Sequence, residues 1–271
     1  MFVRGRVDVQ SGKSLVLGDG GGGDGTIYVA AGAELTQRAG VLDLERATSS
    51  GDGALGVVGG RLLLPGPGTV APNVRVAGGE CVFRARRVHL SGNVDVSNGT
   101  LAFLVDATNA TLDGTFTLRG GALRFPERDS YAEPHRNFLH TSPYSRDRSR
   151  FDVHGHYTWS NGTVSGNSDV HLWAASTVST GFVKMWARVV NHGAMLVKDG
   201  AIIADTEGYL EDRGTVEMEG PRTTYRGIVA RRARREAQET LIHDWEDNML
   251  YGKRTMVVGE DSARASSLGV T

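Results

Sequence analysis

Apolar and polar residues alternate in short runs along most of the chain, and a glycine pair or an Asn-Gly pair separates many of these runs. The layout is clearest in residues 74–125, which contain the segments VRVAGGECVF, VDVSNGTLAF and FTLRGGALRF. Alternation with a period of two indicates a β-strand with one buried face. Glycine tolerates the positive φ that a tight corner requires. Each segment therefore predicts two strands joined by a corner.

The same layout recurs at steps of about 20 residues, at Gly79, Gly99 and Gly121. Apolar residues or a cysteine occupy the equivalent positions on both sides of each glycine: Val74, Val76, Cys81 and Phe83; Val94, Val96, Leu101 and Phe103; Phe116, Leu118, Leu123 and Phe125. A hairpin explains one such unit, but a coil that turns once per repeat explains the recurrence. We predict an all-β fold, a single-stranded parallel β-solenoid with like residues in ladders, with a β-sandwich or barrel as the alternative.

The alternation extends to both sides of this region. Similar runs flank Gly12, Gly32 and Gly60, and further corners follow at Gly162, Gly193 and Gly214. The longer step between Gly32 and Gly60 predicts that residues 48–53 bulge out of their rung. We therefore expect the solenoid to occupy residues 1–220.

Residues 126–150 interrupt the pattern with a polar stretch that is predicted to span roughly one missing rung. Long loops on a rigid scaffold are where binding and catalytic residues often lie, although an excursion without function is the alternative. The candidate binding residues of this inserted loop are Asp129, Tyr131, His135, Phe138, His140, Tyr144 and Arg146.

The strand pattern fades after about residue 220. Small and apolar residues then recur every four positions, with Arg and Glu between them: Ala233, Ala237, Leu241, Trp245 and Met249. This spacing predicts an amphipathic helix within residues 221–252. Our hypothesis is that the helix caps the open strand edge at that end of the solenoid, since an open edge pairs with other chains. Residues 253–271 are predicted to be disordered.

Charge and composition exclude several classes of protein. The 271 residues carry a formal net charge of −1, which does not favour binding to nucleic acid. No apolar run approaches the ~20 residues of a membrane span, and MFVRGRVDVQ lacks the apolar segment of a signal peptide. Cys81 is the only cysteine and is expected to be a small buried hydrophobe. His154 and His156 share a strand face, but no third ligand is identifiable, so we predict no metal site and no cofactor.

Two further groups of residues are candidate sites. Arg84, Arg86 and Arg87 form a basic cluster, which is either a solvated outer face or a patch for an anionic polysaccharide. Asn98, Asn109 and Asn161 begin the three Asn-x-Thr sequons and are candidate glycosylation sites. Asn98 and Asn161 also lie at predicted corners, which explains them without a glycan.

The runs YTWSNGTVSG at residues 157–166 and VNHGA at residues 190–194 resemble repeats in bacterial filamentous adhesins and autotransporter passengers. They are also similar to repeats in large surface proteins of some single-celled eukaryotes. The resemblance implies a right-handed parallel β-helix, an extracellular or cell-surface location and a stalk or adhesive role. It carries no catalytic residue onto this chain.

Two functions are compatible with such a rod. The first is a non-catalytic structural or adhesive solenoid that binds glycans or partner proteins through its outer faces and loops, with end-to-end self-association as a further expectation. The alternative is a polysaccharide lyase, hydrolase or epimerase, which requires clustered carboxylates, or a carboxylate beside Lys or Arg. The candidates for that chemistry are Asp129, His135, His140, Arg146 and Asp147.

Overall fold

The computed structural model describes residues 2–64, 68–70, 72–105, 108–126, 148–185, 187–204, 209–219, 224–226, 228–233, 236–240 and 254–256. Strands and short corners account for these residues, and no helix occurs among them. The strands, in chain order, are β1 Phe2–Val3, β2 Arg6–Val9, β3 Ser14–Leu17, β4 Gly20–Gly23, β5 Thr26–Val29, β6 Glu34–Gln37, β7 Val41–Asp43, β8 Thr48–Ser50, β9 Ala54–Val57, β10 Arg61–Leu64, β11 Gly68–Val70, β12 Asn73–Val76, β13 Glu80–Phe83, β14 Arg87–Leu90, β15 Val94–Val96, β16 Gly99–Phe103, β17 Asn109–Leu112, β18 Phe116–Leu118, β19 Gly121–Arg124, β20 Ser149–Val153, β21 Tyr157–Trp159, β22 Gly162–Ser165, β23 Ser168–Leu172, β24 Ser176–Met185, β25 Arg188–Asn191, β26 Ala194–Ala204, β27 Tyr209–Asp212, β28 Thr215–Glu219, β29 Thr224–Arg226, β30 Ile228–Ala233, β31 Glu236–Thr240 and β32 Arg254–Met256.

The strands stack in three files, which we call face 1, face 2 and face 3. Face 1 contains β3, β6, β9, β12, β15, β18, β21, the first halves of β24 and β26, and β28. Face 2 contains β1, β4, β7, β10, β13, β16, β19, β22, the second halves of β24 and β26, and β29. Face 3 contains β2, β5, β8, β11, β14, β17, β20, β23, β25, β27 and β30, and is divided between β8 and β11 into two hydrogen-bonded sheets. The chain visits the faces in turn, so one strand from each face makes one rung.

Parallel pairing between successive rungs confirms the predicted β-solenoid. On face 1, Val76 pairs with Val96 and Val96 with Leu118, all in parallel register. On face 2, Cys81 pairs with Leu101 and Leu101 with Leu123. The rung spacing is that of neighbouring strands, about 4.8 Å. The ladders inferred from the repeat are therefore present.

The inward-facing side chains form one continuous apolar core. Phe103 stacks on Phe83 with ring centroids 5.3 Å apart and on Phe125 at 5.1 Å, and Phe151 packs against these rings from face 3. Offset or tilted aromatic pairs at such distances stabilise a core beyond the area that they bury. Cys81 is fully buried in the same core, as expected, and its burial raises the pKa of its thiol.

Stacked glycines mark the corner between faces 1 and 2. The file contains Gly40, Gly60, Gly79, Gly99, Gly121 and Gly162. Gly79 has a φ of 68°, and a Cβ at this position would lie 2.5 Å from the carbonyl oxygen of Gly60 in the rung below. A side chain is therefore excluded both by the backbone conformation and by the close approach of the next rung. The recurring glycines of the sequence are required by this stacking.

The sequence pattern suggests that Gly12 and Gly32 occupy the same corner of the rung as Gly60, and this prediction is wrong by one face. Gly12 and Gly32 lie at the corner between faces 3 and 1, and Leu35, which follows Gly32, pairs with Leu55 on face 1. Gly60 lies one corner further along the rung, which accounts for the longer step from Gly32. The predicted bulge over residues 48–53 is also wrong in part, because Thr48–Ser50 forms strand β8 and pairs with β5.

The inserted segment does not replace a rung. Strand β20 pairs directly with β17, and β21 pairs directly with β18, so the rungs before and after the segment are adjacent. The backbone N–H of Asn167 donates to Pro126 O across the same boundary at 2.9 Å. Residues 127–147 thus connect β19 to β20 at the corner between faces 2 and 3, and they lie outside the described residues.

Near the C-terminal end, parallel pairing gives way to antiparallel pairing. Strand β31 pairs antiparallel with β30, and β32 pairs antiparallel with β28. These strands fall partly within residues 221–252, for which the sequence predicts a helical cap. Residues 241–253 lie outside the described part of the chain, as do residues 257–271. The helix and the disordered tail therefore stay predictions.

Candidate binding surface

The outward side of face 3 carries the densest cluster of interacting polar and aromatic side chains among the described residues. Outward residues alternate along each strand with buried core residues such as Phe151 and Val170. We call this side, from β14 to β27, the face-3 surface. Its members are Arg86, Arg87, His89, Asn109, Thr111, Asp113, Arg148, Arg150, Asp152, His154, Asp169, His171, Trp173, Arg188, His192, Glu211 and Arg213.

A stack of planar rings runs along one margin of the surface. The Trp173 ring lies 3.8 Å from the His192 ring with an interplanar angle of 7°, and 6.3 Å from the His154 ring at 18°. These three residues occupy the position just after β20, β23 and β25, so they recur once per rung. Trp173 remains 42% exposed. The His192 imidazole therefore covers one face of the indole, and the His154 imidazole is further away.

His192, a member of this stack, also forms a hydrogen bond with the buried His171. His171 Nδ1 and His192 Nε2 are 2.9 Å apart, so one ring donates a proton and the other accepts it. Burial and the nearby Arg150 guanidinium lower the pKa of His171 to about 4, against an opposing effect of Asp152. Burial and Arg213 likewise lower the pKa of His192. Both imidazoles are therefore neutral near pH 7.

Carboxylates on the face-3 surface are held by arginines and by the indole. Arg150 donates from Nε and Nη2 to the two oxygens of Asp152, at 2.6 and 2.8 Å, and Trp173 Nε1 donates to Asp152 Oδ1 at 2.7 Å. Burial raises the pKa of Asp152, but these hydrogen bonds outweigh it, and the pKa lies below its usual value. Asp152 is consequently ionised at neutral pH.

A second set of ion pairs runs across the rungs. It alternates in sign in the order Arg148, Asp169, Arg188, Glu211 and Arg213. Burial raises the pKa of Glu211, and hydrogen bonds from Arg188 and Arg213 lower it further than burial raises it, so this carboxylate is also ionised. Arg188 and Glu211 are almost fully buried. The ladder joins β20, β23, β25 and β27.

Several arginines of this surface are more exposed than two of its carboxylates. Asp152 is 6% exposed and Glu211 is 3% exposed. Arg86, Arg87, Arg150 and Arg213 are exposed, whereas Arg188 is buried. Asp113 is the exposed carboxylate of the surface, and His89 Nε2 lies 3.2 Å from its Oδ2. Guanidinium groups and ring edges thus form most of what a ligand would contact.

The predicted arginine cluster is divided by the fold. Arg84 lies at the end of face 2, where its Nε is 3.4 Å from Glu45 Oε1. Arg86 and Arg87 lie at the corner and at the first position of β14, so they belong to the face-3 surface. Within the described part of the chain, no carboxylate pairs with either of them. Arg87 is in register with Asn109, which is in register with Arg150.

All three predicted glycosylation residues are exposed. Asn98 and Asn161 lie at the corner between faces 1 and 2, and Asn161 Oδ1 accepts a hydrogen bond from Gly162 N at 2.8 Å. Asn109 is different, because it begins β17 in the middle of the face-3 surface. Exposure permits a glycan, but these contacts do not distinguish glycosylation from a structural role. Glycosylation therefore stays a prediction.

The predicted loop residues Asp129, Tyr131, His135, Phe138, His140, Tyr144 and Arg146, and also Asp147, lie outside the described residues. The repeat pattern does not predict the face-3 surface as a site. A signal in the sequence could have indicated it. A second set of recurring glycines, Gly114, Gly155, Gly193 and Gly214, is preceded each time by a charged residue or a histidine, namely Asp113, His154, His192 and Arg213. These glycines stack between faces 3 and 1, which places the preceding residues in one column.

His154 and His156 do not converge on a common ligand position. His154 stacks on Trp173, whereas His156 Nε2 lies 3.4 Å from Thr177 Oγ1. Across the described ranges, no group of three or more His, Cys, Asp or Glu side chains is arranged to hold a metal ion. The same ranges contain no helix with the length and apolar character of a membrane span.

Comparisons with protein families, with curated proteins and with solved structures found no match. The assignment to a class of protein therefore rests on the register of the strands. By that register, the chain is a parallel β-solenoid whose rungs repeat about every 20 residues.

Proposed function

We propose that this protein is a non-catalytic structural or adhesive β-solenoid of an extracellular or cell-surface protein, and that it binds glycans through the face-3 surface. The observation that carries the proposal is the contiguous array of exposed arginines, histidines and Trp173 on a rigid parallel sheet. Arginine recognises carboxylate and phosphate groups with a fixed donor geometry, and arginine and tryptophan are enriched at the hot spots of protein–protein interfaces. A partner protein is the other ligand class that such a surface suits.

The rigidity of the sheet supports a binding role. Each strand of the face-3 surface is hydrogen-bonded to a strand on either side, and the outward groups are cross-linked by ion pairs and ring stacking between rungs. Groups held in this way lose little conformational freedom when a ligand binds, which favours affinity. The resemblance of residues 157–166 and 190–194 to repeats of surface adhesins is consistent with this role.

The state of the carboxylates favours binding over polysaccharide cleavage by this surface. A general acid requires a carboxyl group whose pKa is raised towards the working pH. The pKa values of Asp152 and Glu211 are instead lowered, and both groups are committed to arginines. Carboxylates in that state stabilise the surface and orient its donors. A cleavage activity would have to use other residues, for which Asp129 and His135 stay candidates.

A glycan array probed with the purified chain tests the proposal. We expect binding to a subset of glycans, with at least a tenfold loss of affinity in Trp173→Ala, because the indole orders both His192 and Asp152. Leu104→Ala is the matched control, since Leu104 is an exposed apolar residue outside the face-3 surface, and its affinity should equal that of the wild type. A circular dichroism melt of both variants separates lost binding from lost folding.

Two results would overturn the proposal. One is binding that is insensitive to every substitution on the face-3 surface. The other is release of reducing ends or unsaturated sugars from the bound polysaccharides, because a non-catalytic protein leaves its ligand intact.

A further inference from the structure

We infer that the ligand of the face-3 surface is an acidic polysaccharide, whose anionic groups contact Arg86, Arg87 and Arg150. The inference rests on the proposed function and adds the chemical class of the glycan. It also gives a direction, because the ligand chain would run along the stacking axis and cross the rungs.

The depth of the charges is the first argument. Asp152 and Glu211 are buried, whereas Arg86, Arg87, Arg150 and Arg213 are exposed to solvent. Arg86 and Arg87 are exposed, and no described carboxylate pairs with either of them. A guanidinium is planar and presents five N–H donors, which suits recognition of carboxylate and sulfate groups. A polyanion therefore meets donors before it meets the buried negative charges.

The second argument is the spacing along one file. Arg87, Asn109 and Arg150 are in register on three successive rungs, so the two arginines are about 10 Å apart. Each rung advances by about 4.8 Å, which is close to the length of one pyranose in an extended chain. A polyuronate with one carboxylate per sugar would place every second carboxylate at an arginine of this file, with the Asn109 amide donating to the carboxylate between them.

Nucleic acid fits the same surface less well. Double-stranded DNA carries one charge per about 1.7 Å of its axis, and its binding proteins concentrate positive charge to match. The exposed arginines of the face-3 surface are sparser than that, and the chain as a whole has a net charge of −1. The charge density therefore favours a polyanion whose charges are spaced more widely than those of DNA, such as a polyuronate.

The ring stack disfavours a neutral glycan. Neutral sugars commonly need an open aromatic face on which to pack, but His192 covers one face of Trp173 at 3.8 Å, and the His154 ring lies 6.3 Å away on the neighbouring rung. This arrangement reduces the ring surface on which a neutral sugar could stack. The rings at this margin would therefore add polar contacts to the ionic contacts that the arginines make.

The test measures binding of polygalacturonate, with dextran of similar length as the uncharged polymer and a DNA duplex as the densely charged one. We expect polygalacturonate to bind, its affinity to fall as salt is raised, and dextran and DNA to bind at least tenfold more weakly. The double variant Arg86→Ser/Arg87→Ser should weaken polygalacturonate binding at least tenfold. Asn109→Asp, which places a carboxylate between Arg87 and Arg150, should weaken it by a similar factor.

The matched control is Arg75→Ser/Arg119→Ser, which removes two arginines from elsewhere on the rod. Their side chains are each 62% exposed, so the change in net charge and in exposed guanidinium is comparable. Equal losses in the two double variants would overturn the inference, as would a preference for DNA or for dextran. If array glycans bind the face-3 surface but polygalacturonate does not, the inference fails and the proposed function stands. If no glycan binds, both fail.

Discussion

The two sides of the face-3 strands stack by different rules. Inward positions repeat like on like, as in the file Leu90, Leu112, Val153 and Leu172. Outward positions place unlike partners together across the rungs, with Arg188 beside Asp169, His192 beside Trp173 and Glu211 beside Arg188. One register thus produces a uniform apolar interior and a heterogeneous polar exterior. The interior supplies stability through burial, and the exterior is free to carry chemistry that differs from rung to rung.

The interior ladder changes character at its C-terminal end. Asn191 and Asp212 continue the inward file after Leu172. Asn191 Nδ2 donates to Asp212 Oδ1 at 2.9 Å and to the carbonyl oxygens of Gly193 and Thr215, so these polar groups satisfy the backbone at the corner. Hydrogen bonding of this kind offsets the cost of burying amide and carboxylate groups. The contrast between interior and exterior is therefore sharpest between β12 and β23.

The largest expected effect is on the interior. Phe103→Ala removes the ring that stacks on both Phe83 and Phe125, and it should lower the free energy of unfolding by about 3–5 kcal/mol. Urea denaturation followed by circular dichroism measures the change. Leu104→Ala, one residue further along and partly exposed, should cost less than about 1 kcal/mol. Similar losses at the two positions would contradict the assignment of inner and outer sides.

A second effect distinguishes the exterior by its response to pH. The pKa of His171 is about 4 in the folded protein and near 6.5 in the unfolded chain, so the unfolded state binds the proton more tightly. The contribution of His171 to stability should therefore be constant above pH 6.5 and fall between pH 6.5 and 4, by up to about 3 kcal/mol. His192, whose pKa is also lowered, adds to the loss below pH 6.5. Asp152 and Glu211, with lowered pKa values, add to the loss only at lower pH.

Thermal melts of the wild type and His171→Gln at pH 7.5, 6.5, 5.5 and 4.5 measure this dependence. The variant should lose the part of the slope that belongs to His171, whereas Phe103→Ala should keep the full slope at a lower stability. Parallel curves for wild type and His171→Gln would show that the buried imidazole pair does not titrate as inferred.

The third effect lies at the corner between faces 1 and 2. Gly79→Ala combines a positive φ with a Cβ 2.5 Å from Gly60 O, and we expect a loss of roughly 1–3 kcal/mol from strain, to which the steric contact adds. Gly12→Ala is the control, because Gly12 has a φ of 70° but a methyl group there would have no heavy atom within 4 Å beyond its chain neighbours. We expect a smaller loss of stability in Gly12→Ala, which measures backbone strain alone. Equal losses in the two variants would mean that the carbonyl group of Gly60 moves aside to accept the methyl group.

Much of the fold could be predicted from the sequence because inward positions are constrained in every rung. Cys81, Leu101 and Leu123 occupy one ladder and must all be apolar, so the repeat is visible. Face 3 is harder to predict, since its corners do not share the glycine pair that marks the corner between faces 1 and 2. Glycines occur at more than one corner of the rung, so a glycine alone does not identify its corner. The predicted early rungs are displaced by one face because of this ambiguity.

The candidate surface could not be predicted from the repeat, since its function-bearing positions are those that vary between rungs. His171 pairs in register with Asp152, and the stack formed by Trp173 and His192 joins different residue types. Contacts between unlike residues leave no periodic pattern. They become apparent only after the winding brings residues about 20 positions apart into neighbouring strands.

The direct pairing of β20 with β17 has a consequence for how this architecture can change. The connection from residue 126 to residue 148 enters and leaves at one corner, and the strands on either side remain in contact without it. Selection can lengthen, shorten or exchange that connection while every ladder keeps its partners. The corner is accordingly where related chains should diverge first, and where a reporter domain can be grafted with little risk to the rod.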